Sequence, residues 1–336
     1  MAYQTQETSP RQNLSYGGQA LIEGVMMRNR RKVAVAVRNP QGKIVVYEQN
    51  LNPIIYQGPF SNLPFVRGLT MLWDALGIGL RALVWSAEVA AGQDTPAFDR
   101  PVDPATAAFS LSMSAGMVFL SPAIASSGLA RLLKLENKAL ATMLEGVLRL
   151  GLVTGYIWLV GQTKEGQRLF AYHGAEHKTV NAVEAGAPLT PESVKQFPLE
   201  HPRCGTAFLL TVVLISTFIQ VIIGRPKFPA LLLQRLVLIP VVAGIAYEFI
   251  RFASAHMDNP TIRAIIAPNL LMQRLTTREP DLAMISVAIA AMERVLAAED
   301  RTDSASNIEL PSLHVNRTNG NGTAKPSNIA SDFTSR

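Results

Sequence analysis

Long stretches without a charged residue limit what this chain can fold into more than any other feature of its sequence. Residues 104–130 contain no Asp, Glu, Lys or Arg, and residues 206–223 are likewise uncharged and rich in Leu, Val and Ile. Each stretch is long enough to cross the roughly 30 Å hydrocarbon layer of a bilayer as a helix. A charged fraction of 17% beside a hydrophobic fraction of 48% also favours a membrane protein over a soluble one.

Two further segments, 139–162 and 229–250, are long and mainly apolar, so the sequence predicts about four membrane-spanning helices within residues 104–250. Residues 1–19 lack the apolar stretch of a signal peptide, which predicts that internal helices direct insertion. Residues 1–14 are predicted to be a flexible N-terminus. The lipid bilayer is therefore the expected partner.

These two segments also carry charged side chains. Glu145 and Arg149 lie four residues apart, in the order that favours an ion pair on one helix face. They are predicted to neutralise each other inside the helical bundle. The alternative is that they form, with Arg235 and Glu248, a polar path through the membrane of the kind a small transporter needs.

The region 15–60 is predicted to be rich in β-structure. Two runs of β-forming residues, 32–38 and 43–48, are joined by the turn sequence Asn-Pro-Gln-Gly, which predicts a β-hairpin. Residues 64–91 follow as a predicted amphipathic helix, because charged residues recur there every seven positions. Four charges make a membrane span costly, so this helix is expected to lie at the membrane interface or to dock on another element.

The end of the chain has a different composition. Residues 251–300 are predicted to be a helical segment. Residues 301–336 are rich in Ser, Thr, Asn and Gly and are predicted to be disordered, because they hold too little apolar surface to offset the entropy lost on folding.

Basic residues near the ends of the predicted spans favour one orientation in the membrane. The central segment 163–205 and the region after the last span together carry Lys164, Arg168, Lys178, Lys195, Arg203, Arg251, Arg263, Arg274 and Arg278. The opposite side carries Arg131, Lys134, Lys138, Arg225 and Lys227. This imbalance predicts that both termini and the central segment are cytoplasmic, where they form a small α+β unit. The basic residues that flank the predicted spans also account for the net charge of +6, so nucleic acid is not an expected partner.

The central segment contains a His-x-x-Glu-His motif formed by His173, Glu176 and His177. A spacing of four residues places both imidazoles on one face of a helix. The same spacing occurs in metalloproteases in which two histidines hold zinc and the glutamate acts as general base. The motif therefore predicts a divalent metal site, with zinc as the expected ion and Glu176 as the catalytic residue.

A zinc site of this kind needs a third protein ligand, and three candidates are near in sequence. Glu184 lies on the same predicted helix face, while His201 and Cys204 precede the third predicted span. Cys204 is the only cysteine, so an intramolecular disulfide and a four-cysteine zinc site are excluded. The alternative interpretation is that the histidines are paired by hydrogen bonds in a purely structural cluster.

Three more residues are supporting candidates. Glu23 lies between two glycines in the stretch 17–28, which predicts a loop that brings a carboxylate close to another element or, alternatively, a tight structural turn. Glu248 is expected just inside the membrane, eight residues before His256. It is predicted either to orient a histidine of the site or to extend towards the interface as a solvated glutamate.

Four motifs carry a family resemblance: residues 17–28, 172–178, 201–206 and 275–280. In this order they resemble the YqhQ-like family of bacterial and plastid membrane proteins, whose members have no known function and are often described as predicted metal-dependent enzymes. The resemblance extends over residues 15–298. It implies that the motif positions of the family are Glu23, His173, Glu176, His177, His201 and Cys204.

Three functions are compatible with these features. The first is a zinc-dependent hydrolase at the cytoplasmic membrane face, acting on a peptide or a lipid-linked ester and requiring an open metal position. The second is a non-catalytic scaffold or assembly factor whose metal shell is closed. The third is a small transporter with a polar path inside the membrane. A homo-oligomer is compatible with all three.

Overall fold

The protein is described by a computed structural model, in which helices dominate and one antiparallel sheet lies near the N-terminus. The residues described are 16–306 apart from 57, 59–62, 94–95, 99–102, 104, 106–107, 110–111, 114–120, 225 and 227–229. The predicted flexible segment 1–14 lies outside them.

Four strands form one antiparallel sheet in the order β1-β2-β3-β4. They are β1 (Gly17–Leu21), β2 (Gly24–Arg28), β3 (Lys32–Arg38) and β4 (Ile44–Asn50). The last two are the predicted hairpin, which is confirmed. The sequence did not predict that the glycine-rich stretch before it forms two further strands.

Ten helices are described along the chain. They are α1 (Pro53–Tyr56), α2 (Val66–Ala90), α3 (Ser121–Leu132), α4 (Lys138–Val160), α5 (Lys164–Glu184), α6 (Pro191–Lys195), α7 (Gly205–Ile223), α8 (Ala230–Ala255), α9 (Pro260–Thr276) and α10 (Leu282–Ser306). Because α10 continues to Ser306, the prediction of disorder from residue 301 is wrong for its first six residues. Residues 307–336 lie outside the described part of the chain.

Helices cover both faces of the sheet. Side chains alternate between the two faces along each strand, so the strands contribute to two separate cores. On one face, Val25 and Met27 pack in a core that includes Met292 of α10 and residues of α5. On the other face, Met26 packs in a second core with Trp85 of α2. The cores bury the sheet between α2 and the pair α5 and α10, which fixes α5 relative to β1.

Helix α2 connects the sheet to the helical region, as a docking helix would. Its second half contributes Trp85 to the core under the sheet. Near its start, Gly68 lies so close to α8 that an added Cβ would be 2.9 Å from the ring of Tyr247. Arg67 forms an ion pair with Glu248 of α8 at the same crossing.

Two helices in the described part of the chain are long and apolar enough to cross a membrane, over Ala139–Val160 and Leu233–Ala255. The apolar part of α7, Phe208–Ile223, is shorter. Twelve of the 27 residues of the first predicted span, 104–130, lie outside the described residues, and its last ten residues form part of α3. The prediction of four spans is therefore supported for two helices, and the other two remain predictions.

Charged side chains meet between α4 and α8. Glu145 accepts a hydrogen bond from Arg149 at 2.8 Å, in agreement with the predicted i,i+4 pair, and another from Arg235. All three side chains are at most 10% exposed. This cluster therefore fits the role of internal neutralisation.

Candidate metal centre

Helix α5 carries both motif histidines and is packed against the sheet along most of its length. Its N-cap residue is Thr163, whose side chain accepts a hydrogen bond from the Gly166 N–H and so satisfies one free donor of the first turn. Its sequence is largely polar, yet nearly every residue from Phe170 to Val183 is buried. Polar side chains in such a position need partners in the protein.

The structure brings two histidines and the cysteine together. One ligand atom each from His173, His177 and Cys204 lies within 4.8 Å of the others. The two imidazole centroids are 4.4 Å apart, and the Cys204 Sγ lies 3.3 Å from Nε2 of His173. The predicted convergence of the motif with the turn before α7 is therefore confirmed.

Backbone carbonyls fix which imidazole nitrogen carries the proton. Nδ1 of His173 lies 2.9 Å from the carbonyl oxygen of Thr276, and Nδ1 of His177 lies 2.5 Å from that of Leu199. A carbonyl oxygen only accepts, so each Nδ1 donates and each Nε2 keeps its lone pair. Zinc-binding histidines are commonly oriented by hydrogen bonds of this kind.

The Nε2 atom of His177 is buried and makes no hydrogen bond of good geometry within the described residues, although the Cys204 sulfur lies near this imidazole. Burial also lowers the pKa of His177, which favours the neutral form, while the nearby Cys204 sulfur acts in the opposite direction. A buried nitrogen lone pair without a partner is costly. A metal ion held jointly with His173 and Cys204 would remove that cost.

Cys204 is placed at the start of α7 as its N-cap residue. Its Sγ lies 3.4 Å from the backbone N of Thr206 and 3.0 Å from the Thr206 hydroxyl. One thiolate with two imidazoles is a donor set that suits zinc.

The other two candidates for the third ligand interact with each other, although the ring centroid of His201 lies only 5.9 Å from that of His177. Glu184 forms an ion pair with Arg203, and one of its oxygens lies 3.4 Å from Nε2 of His201. Burial lowers the pKa of His201 to about 4, so its ring is neutral at pH 7. Neither residue belongs to the described group of converging ligand atoms. The structure therefore favours Cys204 as the third ligand.

The motif glutamate is enclosed under β1. Glu176 is 6% exposed and accepts a hydrogen bond from the backbone N–H of Gly18. Its Oε2 is buried and has no hydrogen-bond partner within the described part of the chain. Burial raises the pKa of Glu176, although His173 and His201 act in the opposite direction.

A cavity of about 250 Å³ opens beside this carboxylate. It is lined by Gly18, Gln19, Ala20, Leu169, Phe170, His173, Glu176, Gly205, Thr206 and Thr276. The cavity therefore reaches His173, one of the three candidate metal ligands, from the side of β1 and the first turn of α7. A small group of a substrate can enter there next to Glu176.

The three supporting candidates have separate positions. Glu23 lies in the turn between β1 and β2 with a φ of 53°. Its carboxylate accepts a hydrogen bond from Arg168 at 2.6 Å and another from Tyr172 at 3.3 Å, and both donors belong to α5. Glu23 therefore connects this turn to α5. Glu248 pairs with Arg67, so the prediction that it orients a histidine of the site is wrong. His256 is exposed at the end of α8, with its Nδ1 2.8 Å from the carbonyl oxygen of Phe252.

The sequence of this chain is similar to that of a known protein family and of a bacterial relative. The profile of a family described as a protein of unknown function, DUF1385, matches residues 63–298, which is most of the chain and includes every candidate metal ligand. The chain belongs to the DUF1385 family. It is also 29% identical over 302 residues to the uncharacterized protein YqhQ of Bacillus subtilis, covering 85% of this chain and 93% of that protein. No solved structure matches it.

Two features of this DUF1385 protein's site were not predicted from its sequence. Gly18 lies before the matched region and brings β1 against Glu176, where an added Cβ would be 2.9 Å from the carboxylate carbon. Gln273 is fully buried and makes two hydrogen bonds to the backbone of His201. A glycine and a glutamine carry no metal-binding signal, so only the contacts reveal them.

Proposed function

We propose that this DUF1385 protein is a zinc-dependent hydrolase that acts at the cytoplasmic face of a membrane. The observation that carries the proposal is the convergence of His173, His177 and Cys204 within 4.8 Å, with the lone pair of His177 Nε2 buried and without a hydrogen-bond partner among the described residues. Three protein ligands are typical of catalytic zinc sites, which keep a fourth position for water, whereas structural sites have four.

Zinc bound by these residues would polarise a substrate carbonyl and lower the pKa of a bound water. Glu176 is the proposed general base, and two observations support this role: its Oε2 is buried without a hydrogen-bond partner among the described residues, and the carboxylate lines the same cavity as His173. It takes one proton from water as the oxygen of that water bonds to the acyl carbon. The bond from this carbon to the leaving nitrogen or oxygen breaks, and the leaving atom receives the proton. The substrate is a peptide or a lipid-linked ester.

The exposed apolar side chains of the helical region support membrane insertion. Trp158 on α4 is 57% exposed, and Val237 on α8 is 59% exposed. Phe218 on α7 is 67% exposed. Apolar surface of this kind on long helices is stable in contact with lipid, whereas in water it is costly. We therefore retain the four-span arrangement, with both termini and the central segment cytoplasmic, as part of the proposal.

The test is metal analysis of purified full-length protein. Wild-type protein is expected to contain about one zinc per chain, and His177→Ala is expected to lose it because only two ligands remain. Glu176→Gln should keep the zinc and lose hydrolysis, because the base is not a ligand. His256→Ala, an exposed histidine outside the site, is the matched control and should behave as wild type. Wild-type protein without bound metal would contradict the proposal.

A non-catalytic metal scaffold is the second candidate, and one observation favours it. The ligands come from α5 and α7, and their hydrogen-bond acceptors come from Leu199 and Thr276, so a metal here would connect several distant segments. In that case Glu176→Gln would keep the zinc content and the thermal stability of the wild type, and His177→Ala would lose zinc and unfold at a lower temperature.

A further inference from the structure

Strand β1 is the edge of the sheet and also a wall of the cavity that is lined by Glu176 and by the candidate ligand His173. We propose that the substrate is a polypeptide, bound in an extended conformation at Ala20 on the edge of β1 that faces away from β2. This inference rests on the proposed hydrolase function and specifies its substrate class.

The direction of the β1 backbone groups follows from the register of the ladder with β2. In an antiparallel pair, successive residues point their N–H and C=O groups alternately towards the partner strand and away from it. Leu21 and Gly24 are paired across a two-residue turn and Gln19 is paired with Met26, which makes these the hydrogen-bonded pairs of the ladder. The N–H and C=O of Gly18 therefore point away from β2, towards Glu176 of α5. Two residues further on, the N–H and C=O of Ala20 therefore also point outwards.

These outward groups are available to a ligand. Residues 17–20 are all partly exposed, and both Gly18 and Ala20 line the cavity. Apart from the ladder with β2, the described residues give Ala20 no hydrogen-bond partner. An extended peptide residue placed opposite Ala20 can both donate to its C=O and accept from its N–H, which is how strands are added to sheet edges.

The position of this edge relative to the reacting groups selects a peptide over a lipid-linked ester. Gly18 contacts Glu176, and His173 lines the same cavity, so a chain held at Ala20 places a neighbouring amide carbonyl beside the general base. Backbone hydrogen bonds recognise amides and are independent of the side chains of the substrate. A lipid acyl chain offers no donors for the Ala20 carbonyl.

The experiment uses zinc-loaded full-length protein in detergent and three zinc-chelating probes: acetohydroxamate, the hydroxamate of N-acetyl-trialanine, and octanoyl hydroxamate. Affinities are measured by calorimetry. The peptide hydroxamate is expected to bind about tenfold or more tightly than acetohydroxamate, as two added backbone hydrogen bonds would give. Methylation of its amide nitrogens should remove this gain.

Ala20→Pro tests the same contact from the side of the protein. Proline removes the outward N–H, and at an edge strand it leaves the ladder with β2 intact. The variant is expected to lose the gain of the peptide hydroxamate while it binds acetohydroxamate with unchanged affinity. If the variant fails to retain zinc, the methylated peptide on wild-type protein decides the question.

The outcomes separate the two proposals. If acetohydroxamate and the peptide hydroxamate bind wild-type protein equally, the peptide inference is overturned and the metal site stands. If only octanoyl hydroxamate shows a gain, the substrate is a lipid-linked ester and the inference is likewise overturned. If none of the probes binds, the hydrolase proposal fails and the substrate class fails with it.

Discussion

The side-chain amide of Gln273 forms hydrogen bonds with both backbone polar groups of His201. Its Nε2 donates to the His201 carbonyl oxygen at 2.8 Å, and its Oε1 accepts from the His201 N–H at 2.9 Å. Gln273 is fully buried. It therefore fixes the loop that supplies the Leu199 carbonyl to His177 and presents Cys204 to the site.

Replacing this amide should weaken both the fold and the metal site. Gln273→Leu leaves the buried N–H of His201 without the Oε1 acceptor, while the C=O of His201 keeps the Cys204 N–H at 3.3 Å, and we expect the free energy of unfolding to fall by about 1–3 kcal/mol. Zinc affinity should fall by about 10–100-fold, as for other residues that orient ligands. Competition with a chelator and chemical unfolding are the measurements.

The same helix offers a control for this change. Asn269 lies one turn earlier on α9, is buried, and donates a hydrogen bond to Thr211 at 3.0 Å. Asn269→Leu should lower stability while zinc affinity stays that of the wild type. Equal zinc affinity in both variants would show that Gln273 does not position the ligand loop.

Two adjacent glycines in β1 should respond differently to the same substitution. An added Cβ at Gly18 would lie 2.5 Å from the Met26 carbonyl oxygen and 2.9 Å from Glu176, whereas at Gly17 it would meet nothing within 4 Å. We expect Gly18→Ala to lower the free energy of unfolding by about 1–3 kcal/mol and to displace Glu176. Gly17→Ala should be neutral or slightly stabilising.

Thermal unfolding and hydrolysis rates of the two glycine variants provide the comparison. If both alanine variants are equally stable and equally active, β1 does not approach Glu176 as closely as the structure shows.

The charged cluster between α4 and α8 should be required for folding. Glu145→Leu leaves Arg149 and Arg235 without their shared carboxylate, and removal of one member of a buried ionic cluster costs about 3–5 kcal/mol. The double variant Glu145→Leu with Arg149→Leu should recover part of the loss, because one buried charge is removed as well. Thermal unfolding in detergent and accumulation in membranes are the measurements. A Glu145→Leu variant as stable as wild type would favour a polar path over internal neutralisation.

The proposed orientation predicts which exposed positions can be labelled from outside the cell. Gln196 lies in the central segment and Glu136 in the connection between α3 and α4, and both are exposed. A membrane-impermeant maleimide should label Glu136→Cys in intact cells and Gln196→Cys only after permeabilisation. Wild-type protein, whose single Cys204 is buried, serves as the unlabelled control. The reverse pattern would show that the orientation is inverted.

Local patterns in the sequence were sufficient for several elements. The turn sequence and β-forming runs predicted the hairpin of β3 and β4, because both signals lie within twenty residues. The spacing of four predicted that His173 and His177 share a helix face, since that angle depends only on helical geometry. The pair Glu145 and Arg149 follows from the same rule.

The tertiary structure decided the identity of the third candidate ligand and of the partners around the site. His177 and Leu199 are 22 residues apart, and His201 and Gln273 are 72 residues apart. No local pattern encodes such contacts, because they depend on how α5, α7 and α9 pack together. For the same reason, Glu248 pairs with Arg67 of α2 rather than with a histidine. The sequence by itself thus determined which residue types can bind a metal and which helix presents them. Packing over long chain separations decided that Cys204 reaches His173 while Glu184 and His201 pair with each other.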